Sequence, residues 1–361
     1  MPPPDTYHPL KLLEDLLETY SIKKLAESLN VATGTVVRWQ QLKDVPSNYC
    51  FDLLRLAGKK IDYSLYTAKE KDQFFTPLDT ARHCFEVFKR VFAKYNQNGQ
   101  HTTHHTHTIE DYHFIEPSAG SGSFLKILPD HLDVTAIDIE PGSPGIIEAD
   151  YLSWAPNHSP ALKYIVFGNP PFGLRGQLAL KFINHSAKFA DYVAFILPQL
   201  FESDGKGVPR KRVHGFNLLH SEKLSRAHFH DPQGSLIPVN CIFQVWSREH
   251  QNPEYTIKPV DTSVIQIYSL SDGGTPSTTR NKKMFNCCDV YLPSTCFGAA
   301  VMKPYTSFDL LPRRKGYGVV FHQDKKDNLE KFHKIDWSKV AFLSTNGAYN
   351  IRTSQISAMF H

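Results

Sequence analysis

Between residues 112 and 247, short apolar runs alternate with helical or loop segments, and this pattern constrains the fold more than any other feature. The runs "HFIEP", "VTAIDI", "YIVFGNP", "DYVAFILP" and "NCIFQVW" each have the length of a strand. The amphipathic segment "GQLALKFINHSAKF" separates the third run from the fourth. Strands that alternate with helices indicate a doubly wound α/β sheet. We therefore predict an α/β domain over residues 71–252.

The first seventy residues show a different, helical pattern. The segment "HPLKLLEDLLETY" carries leucines at helical spacing, and "SIKKLAESLNVATGTVVRWQQL" contains two further short helical patterns. Ser21 is a suitable N-cap for the first of these, a tight turn at Asn30 and Val31 follows, and the second helix runs from Thr33 to Leu42. The arrangement resembles the helix-turn-helix DNA-binding family, whose second helix enters the major groove. The candidate DNA-facing residues are Thr33, Thr35, Arg38 and Gln41.

Two interpretations of this module, residues 1–70, stay open. It contacts DNA, or it is a small helical bundle that packs on the next domain. Residues 1–72 hold ten Lys and Arg against ten Asp and Glu. A neutral module would bind DNA weakly alone, because neutralisation of phosphates supplies much of the affinity.

Composition and charge set the broad class. The chain has 361 residues, a net charge of +4 and a pI near 8.6, which permits a nucleic-acid partner without arguing for one. The surplus positive charge lies at the C-terminal end, where residues 255–361 carry 14 Lys and Arg against 8 Asp and Glu. We predict a third, smaller domain over residues 253–361.

Cysteine and histidine usage favours an intracellular protein without a metal site. The six cysteines are scattered and form no CxxC pattern, so we expect reduced thiols. The His-rich segment "NQNGQHTTHHTHT" at 96–108 has no apolar period, and we predict a loop that holds no metal. No segment has the length of a membrane span or the pattern of a signal peptide, so we expect a soluble cytoplasmic protein.

Acidic and glycine residues follow three of the predicted strands. The segment "FIEPSAGSGSF" ends a strand with Glu116 and continues into a glycine-rich turn, "VTAIDI" ends in Asp138, and "IIEADYL" brings Asp150 to a third strand end. The carboxyl edge of an α/β sheet is where such folds bind nucleotide cofactors, and an acid there can bind ribose hydroxyls. Each residue alone is more often a cap or turn residue, but their order along the chain favours a nucleoside site.

The fourth strand end reads "FGNPPFG". Two consecutive prolines remove two backbone N–H donors and fix two φ angles, so the tetrapeptide Asn169–Phe172 is stiff. Together with "FFTP" at 74–77, "EPSAGSGSF", "AIDIEP" and "EADYL", it resembles the gamma group of DNA adenine-N6 methyltransferases, which use S-adenosylmethionine. In that group the cofactor motifs precede the catalytic motif and a target-recognition domain follows. The resemblance covers residues 73–250 and implies a Rossmann-like methyltransferase sheet, double-stranded DNA as substrate and a cognate restriction endonuclease as an optional partner.

The resemblance also assigns residues to roles. The methionine end of the cofactor would contact Phe75, Thr76 and Pro77. The cofactor would be lined by Glu116, Ser118, Gly120 and Gly122. Its ribose would be held by Asp138, and its adenine would lie against Ile139, Asp150 and Tyr151. The catalytic motif would be Asn169, Pro170, Pro171 and Phe172.

The motif suits chemistry on an exocyclic amine. The lone pair of an adenine amino group is delocalised into the ring, so the group is a poor nucleophile. The side-chain oxygen of Asn169 and the carbonyl of Pro170 can accept both amino hydrogens and favour a tetrahedral nitrogen. Phe172 offers a face for stacking, and the base must first leave the duplex.

Two departures from the family pattern are visible. The segment "IEPGSPGIIEA" between Asp138 and Asp150 is too short and too rich in Gly and Pro for the helix usual there, so we expect a missing covering helix and a more exposed adenine site. A second aromatic residue that stacks on the flipped base is not assigned; Phe229 is the nearest candidate, with Leu236 or Ile237 as substitutes.

Two basic segments are candidate phosphate-contacting loops or simply solvated loops. They contain Lys206, Arg210, Lys211 and Arg212, and Arg313 and Arg314. Other functions also stay open: methyl transfer to an RNA base or to a protein glutamine amide, or a DNA-binding regulator with an inactive core. The sequence gives neither the recognised DNA site nor the oligomeric state.

Overall fold

The computed structural model places most of the chain. It describes residues 8–29, 31–59, 61–63, 66, 71, 73–97, 107–157, 162–173, 176–203, 208–231, 234–256, 262–274, 278–344 and 347–360, apart from the side chains of residues 48 and 225–228. Within these ranges, no helix has both the length and the apolar composition needed to cross a bilayer. Most of the predicted His-rich loop, residues 98–106, lies outside them.

The N-terminal module consists of four short helices. They are α1 (Pro9–Thr19), α2 (Ile22–Ser28), α3 (Thr33–Leu42) and α4 (Cys50–Leu56). The side chain of Ser21 accepts a hydrogen bond from the backbone N–H of Lys24 at 3.3 Å, so its predicted role as N-cap is confirmed. The helices enclose an apolar core to which α1 contributes Leu13, α2 Leu25 and α3 Val36 and Trp39. Asn30 of the predicted turn lies outside the described residues.

The α/β fold predicted for the middle of the chain is confirmed. Seven strands form one sheet in the order β3-β2-β1-β4-β5-β7-β6. They are β1 (Tyr112–Glu116), β2 (Val134–Asp138), β3 (Ile147–Glu148), β4 (Lys163–Gly168), β5 (Tyr192–Pro198), β6 (Asn217–His230) and β7 (Leu236–Ser247). The first five are parallel, while β7 runs antiparallel to both β5 and β6. Strand order reverses between β1 and β4, and at such a switch point the loops diverge and leave a crevice.

Two helices cover the centre of this sheet. Helix α5 (Leu78–Gln97) packs on one face, and α6 (Gln177–Ser186) packs on the other. Central strands buried on both faces are apolar throughout, as in β5, where all seven residues are buried. Residues 139–146 between β2 and β3 contain no helix, in agreement with the missing helix expected from the sequence.

Strand β6 was not predicted from the sequence. Its 14 residues include "HSEK" and lie at the edge of the sheet, with register irregularities after Leu218 and Leu224. An edge strand that is partly solvated lacks the continuous apolar run by which the central strands were recognised.

The C-terminal part contains two three-stranded sheets. One has the order β8-β11-β9 and the other β10-β13-β12. Their strands are β8 (Ile265–Ser271), β9 (Val290–Pro293), β10 (Thr295–Phe297), β11 (Lys315–Phe321), β12 (Phe342–Leu343) and β13 (Ala348–Asn350), and the helices are α7 (Lys325–Lys334), α8 (Trp337–Val340) and α9 (Thr353–Ser357). The backbone N–H of Leu343 donates to Oε1 of Gln199 at 2.9 Å and so joins this part to the loop after β5. The predicted domain boundaries at 70 and 252 stay predictions.

The packing of α5 on the sheet generates a stability prediction. Phe88 is fully buried, and its ring contacts those of Phe92, Phe114, Phe167 and Tyr192. Phe88→Ala should lower the free energy of unfolding by about 3–5 kcal/mol, because it removes buried apolar surface and leaves a cavity. Urea denaturation followed by circular dichroism measures the change.

The matched control for this variant is Glu86→Ala on the exposed side of α5. It should change the free energy of unfolding by no more than about 0.5 kcal/mol. Equal stabilities of the two variants would show that α5 does not pack as described.

Candidate active site

A cavity lies at the carboxyl ends of β1, β2 and β4, where the strand order reverses. Most of the predicted site residues form its wall: Phe75, Thr76, Glu116, Ser118, Gly120, Asp138, Ile139, Asp150, Tyr151, Asn169, Pro170, Pro171 and Phe172. Two predicted residues do not line it. The carbonyl of Pro77 accepts a hydrogen bond from Ala81 at the start of α5, and the N–H of Gly122 donates to the carbonyl of Ala119 at 2.7 Å within the glycine loop.

The glycine loop after β1 follows a backbone path that favours glycine. Gly120 has a φ of 51°, and a Cβ atom there would lie 3.0 Å from the ring of Phe75. The N–H of Gly120 donates to Oδ2 of Asp138 at 2.7 Å, and its carbonyl accepts from the N–H of Gly142 at 2.8 Å. The loop is therefore tied to the end of β2, and its backbone approaches the cavity without a side chain in between.

Two carboxyl groups, of the buried Glu116 and the half-buried Asp138, hold the loops around the cavity. Oε2 of Glu116 accepts from the N–H of Leu125 at 2.9 Å, and Oδ1 of Asp138 accepts from the N–H of Glu140 at 2.7 Å. Burial raises the pKa of Glu116 to about 8, and the nearby charge of Asp138 adds to the shift. Burial also raises the pKa of Asp138, against the lowering effect of the backbone N–H groups that donate to it.

The stiff tetrapeptide after β4 carries one buried acceptor without a hydrogen-bond partner among the described residues. Nδ2 of Asn169 donates to Oγ1 of Thr76 at 3.2 Å, so the amide faces one way. Oδ1 of Asn169 is buried and has no hydrogen-bond partner among the described residues. The backbone carbonyl of Asn169 is held by the hydroxyl of Ser118 at 3.1 Å. A buried amide oxygen without a partner is costly, so its presence on the cavity wall favours a ligand that donates to it.

Two aromatic residues on the cavity wall, one from the tetrapeptide and one from a distant strand, are candidates for stacking on a base. Phe172 is 8% exposed, and Phe229 near the end of β6 is 1% exposed; both line the cavity. Leu236 is 61% exposed and does not line the cavity, nor does Ile237. The position of Phe229 follows from the bridge between Phe75 and His230, whose backbones exchange two hydrogen bonds of 2.8 and 2.9 Å.

The third strand end is occupied by an ion pair. Oδ1 of Asp150 accepts from the N–H of Leu152 at 3.0 Å, and Oδ2 lies 3.5 Å from Nε of Arg55. Tyr151 is fully buried, and its hydroxyl bonds to Oγ of Ser186 at 2.7 Å. The Asp150 carboxylate is therefore oriented by a residue of the N-terminal module.

Sequence reasoning missed the contribution of that module to the cavity. Phe51 and Arg55 of α4 and Tyr63 line the wall, and Nη2 of Arg55 donates to the hydroxyl of Tyr63 at 3.3 Å. Nε of Arg55 is buried and without a hydrogen-bond partner among the described residues. No local pattern marks Arg55 as a site residue, because its partner Asp150 lies 95 positions further along the chain.

A further ion pair docks the module. Nζ of Lys181 on α6 contacts Asp52 of the module at 2.7 Å. Just after the module, Nζ of Lys71 contacts Glu140 at 2.7 Å. The module thus covers the side of the cavity where the helix between β2 and β3 is missing. The sequence predicted a more exposed adenine site there; the structure instead places α4 and Tyr63 at that position.

The predicted DNA-facing residues lie in several environments. On α3, Thr33, Arg38 and Gln41 are exposed and Thr35 is half-buried. Among the described basic residues of the first segment, only Lys211 is exposed. Arg210 donates to the backbone carbonyls of Glu202 and Tyr255, and Arg212 donates to the side chain of Gln177. Lys206 lies outside the described residues.

In the second basic segment, Arg313 is exposed, and Arg314 pairs with Asp272 and Asp309. The described part of the chain holds no cluster of three or more His, Cys, Asp or Glu side chains with metal-binding geometry. None of the six cysteines forms a disulfide.

The raised pKa of Glu116 generates a pH prediction. Between about pH 4.5 and pH 8 the folded protein keeps a proton on Glu116 that the unfolded chain has released. The free energy of unfolding therefore falls as pH rises through this window, by up to about 1.4 kcal/mol per pH unit. Glu116→Gln has no titrating group at this position and avoids this decrease. The difference in free energy of unfolding between the variant and the parent protein should therefore shift in favour of the variant by about 2 kcal/mol from pH 6 to pH 8. Urea denaturation of both proteins at the two pH values measures it, and a constant difference would contradict the burial of this carboxyl group.

No model of a protein family matches this chain, and no curated protein matches it. Solved structures that are similar to it include a putative RNA methyltransferase from Pyrococcus horikoshii. The two are 15% identical over an aligned region that covers 48% of this chain and 86% of that protein, with a TM-score of 0.34. Another is magnesium protoporphyrin IX methyltransferase from Synechocystis with bound S-adenosylmethionine, at 14% identity, 57% and 99% coverage and a TM-score of 0.31.

A third similar structure is the DrdV–DNA complex, at 12% identity, with 67% of this chain and 37% of that protein covered and a TM-score of 0.32. TM-scores this low carry no argument about the site or the substrate. The assignment of the fold therefore rests on the strand order and strand directions of this chain.

Proposed function

We propose that this protein transfers a methyl group from S-adenosylmethionine to the N6 amino group of adenine in double-stranded DNA. The observation that carries the proposal is the buried Oδ1 of Asn169, an acceptor without a partner on the wall of the cavity. Its orientation is fixed by the bond from Nδ2 to Thr76, and the two prolines that follow hold the backbone.

The residues around the cavity fit a nucleoside cofactor. The glycine loop brings backbone close to the cavity, and Asp138 retains acceptor capacity beside its two backbone donors, since each carboxylate oxygen can accept more than one hydrogen bond. Asp150 and Tyr151 at the next strand end would contact the adenine ring of the cofactor, with Ile139 on the other side. When bound, S-adenosylmethionine supplies a methyl group on a sulfonium, which is a good leaving group.

The chain's own residues then prepare the amine. Oδ1 of Asn169 and the carbonyl oxygen of Pro170 accept the two amino hydrogens, which draws the nitrogen toward a tetrahedral geometry and exposes its lone pair. Because the motif is stiff, it loses little conformational entropy when the amine is aligned. A proton leaves the nitrogen after transfer, when the product is acidic, so no strong general base is required.

The aromatic residues suit an extruded base. Adenine in a duplex must leave the stack to reach the motif, and the flipped base is held by stacking. Phe172 offers one face, and Phe229 lies on the same cavity wall. The exposed residues of α3 and Lys211 are the proposed contacts to the duplex.

Asn169→Ala should abolish methyl transfer without loss of cofactor binding. Removal of the positioned acceptor is expected to lower kcat by about 100- to 1,000-fold, since one preorganised polar contact to the reacting group has that value. Transfer of labelled methyl groups to duplex DNA measures the rate, and calorimetry measures the Kd for S-adenosylmethionine, which should stay within about threefold.

The control for this variant is Asn328→Ala on α7, which should leave both quantities unchanged. Asn328 is half-buried, donates to the carbonyl of Gln323 and does not line the cavity. Parallel reactions with duplex DNA, structured RNA and a glutamine-containing peptide identify the acceptor. If methyl groups are transferred only to RNA or only to the peptide, that acceptor and not DNA is the substrate. If the parent protein does not bind the cofactor, the result favours an inactive DNA-binding regulator.

The N-terminal module should contribute to cofactor affinity. Arg55→Ala removes the cation that orients Asp150 and the side chain that contacts Tyr63, so the Kd for S-adenosylmethionine should rise about tenfold, as for the loss of one hydrogen bond to a charged group. Calorimetry measures the change. Arg82→Ala, which removes an exposed ion pair with Asp79, is the matched control and should leave the Kd unchanged. If Arg55→Ala bound the cofactor as tightly as this control, the module would have no role in the site.

A further inference from the structure

A second cavity lies in the C-terminal part of the chain, apart from the candidate active site. It has a volume of about 490 Å³ and is bounded by the end of β8, the start of β10, the residues that lead into β11 and the residue before α9. Five basic side chains line it: Arg280, Arg313, Arg314, Lys315 and Arg352. Its single acidic wall residue among those described is Asp272.

Most of this positive charge is not neutralised within the protein. Nε and Nη2 of Arg314 donate to Oδ2 of Asp272 at 3.1 and 2.8 Å, and its Nη1 contacts Asp309. Arg314 is therefore fully paired. In the part of the chain that the structure describes, no acidic side chain pairs with the other four cations of the wall. The cavity thus carries an excess of positive charge, which favours an anion.

Polar atoms on the wall also lack partners. Ser294 is 9% exposed, and its Oγ is buried with no hydrogen-bond partner among the described residues; the same holds for Nε of Arg352. Buried polar groups in folded proteins are normally hydrogen-bonded, so two exceptions on one wall favour a polar ligand that supplies the missing hydrogen bonds.

The backbone at the rim is held in an unfavourable conformation. Arg313 and Arg314 follow one another with φ values of 55° and 48°, and Asn281, next to Arg280, has a φ of 51°. Non-glycine residues in the left-handed region persist only where the surrounding structure enforces them, and they concentrate at ligand-binding sites. Here they place basic side chains at two sides of the cavity.

We propose that this cavity binds phosphate groups of a nucleic-acid backbone. Guanidinium groups and hydroxyls are the usual donors to phosphate oxygens, and Ser294 adds a hydroxyl that has no partner among the described residues. The hydroxyls of Ser271 and Thr295, also on the wall, already donate to the carbonyl of Thr278 and to Oδ1 of Asn350. The one aromatic wall residue is Tyr317, which is 6% exposed and donates its hydroxyl to the carbonyl of Ile351, so the wall offers no open surface for a base to stack on. The contact would therefore be to the backbone and independent of base sequence. The choice of DNA as the source of phosphate rests on the proposed function.

The test compares two double variants with the same loss of charge. Arg280→Gln with Lys315→Gln removes two cations of the cavity, and Lys303→Gln with Lys326→Gln removes two exposed cations that do not line it. Fluorescence anisotropy of a labelled duplex, without cofactor and between 50 and 200 mM salt, gives the affinity and its salt dependence. The cavity variant should bind the duplex about tenfold more weakly at 100 mM salt and lower the slope of log K against log salt by about 1 to 2, because each lost phosphate contact lowers that slope by about 0.9.

The control variant should keep the slope of the parent protein. An unchanged slope in the cavity variant would overturn the proposal, and so would an equal decrease in both variants. Thermal unfolding verifies that both variants are folded; if the cavity variant is not, Arg313→Gln is tested in its place, with an expected decrease in slope of about 1.

Inorganic phosphate distinguishes the two sources of the ligand. Calorimetric titration with phosphate should show weak binding to the parent protein and none to the cavity variant. If phosphate binding is lost while duplex binding is unchanged, the site takes a small phosphate and the nucleic-acid proposal is wrong. Because the anisotropy assay uses no cofactor, failure of methyl transfer would contradict the proposed function without changing this result.

Discussion

Two carboxyl groups, those of the buried Glu116 and the half-buried Asp138, hold together the loops from which the candidate active site is built. Each accepts hydrogen bonds from backbone N–H groups of an adjacent loop, and together they join the ends of β1 and β2. The loop satisfies only some of its backbone donors itself, as Gly122 does with the carbonyl of Ala119, and these side chains accept from others. The position of the glycine loop, and with it the shape of the cavity beside Asn169, depends on these bonds.

Local patterns in the sequence were sufficient for the central strands, for α3 and α6 and for the order of the strand-end motifs. These features depend on spacing over a few residues, which a single sequence contains. They also placed Glu116, Asp138 and Asn169 at one edge of one sheet, because the carboxyl ends of parallel strands meet there. The placement of these residues on one cavity is observed, while their roles remain proposals.

Features that depend on distant contacts could not be predicted in this way. Arg55 and Asp150 are separated by almost a hundred positions, and nothing near Arg55 indicates that it faces a cavity of another domain. The same holds for the basic segments, where the sequence shows charge but not its pairing. Arg314 is neutralised by two aspartates, whereas Arg313 beside it is not, and only the tertiary structure separates the two.

The position of β7 has a consequence for how the chain folds during synthesis. Strand β6 is made before β7, yet β7 lies between β5 and β6 in the sheet. Until the ribosome has released residue 247, the hydrogen-bonding edge of β5, the most apolar strand, has no neighbour on that side. An unpaired apolar edge in a nascent chain invites pairing with other chains. The protein should therefore be most prone to aggregate, and most in need of chaperones, in the interval between the synthesis of β5 and that of β7.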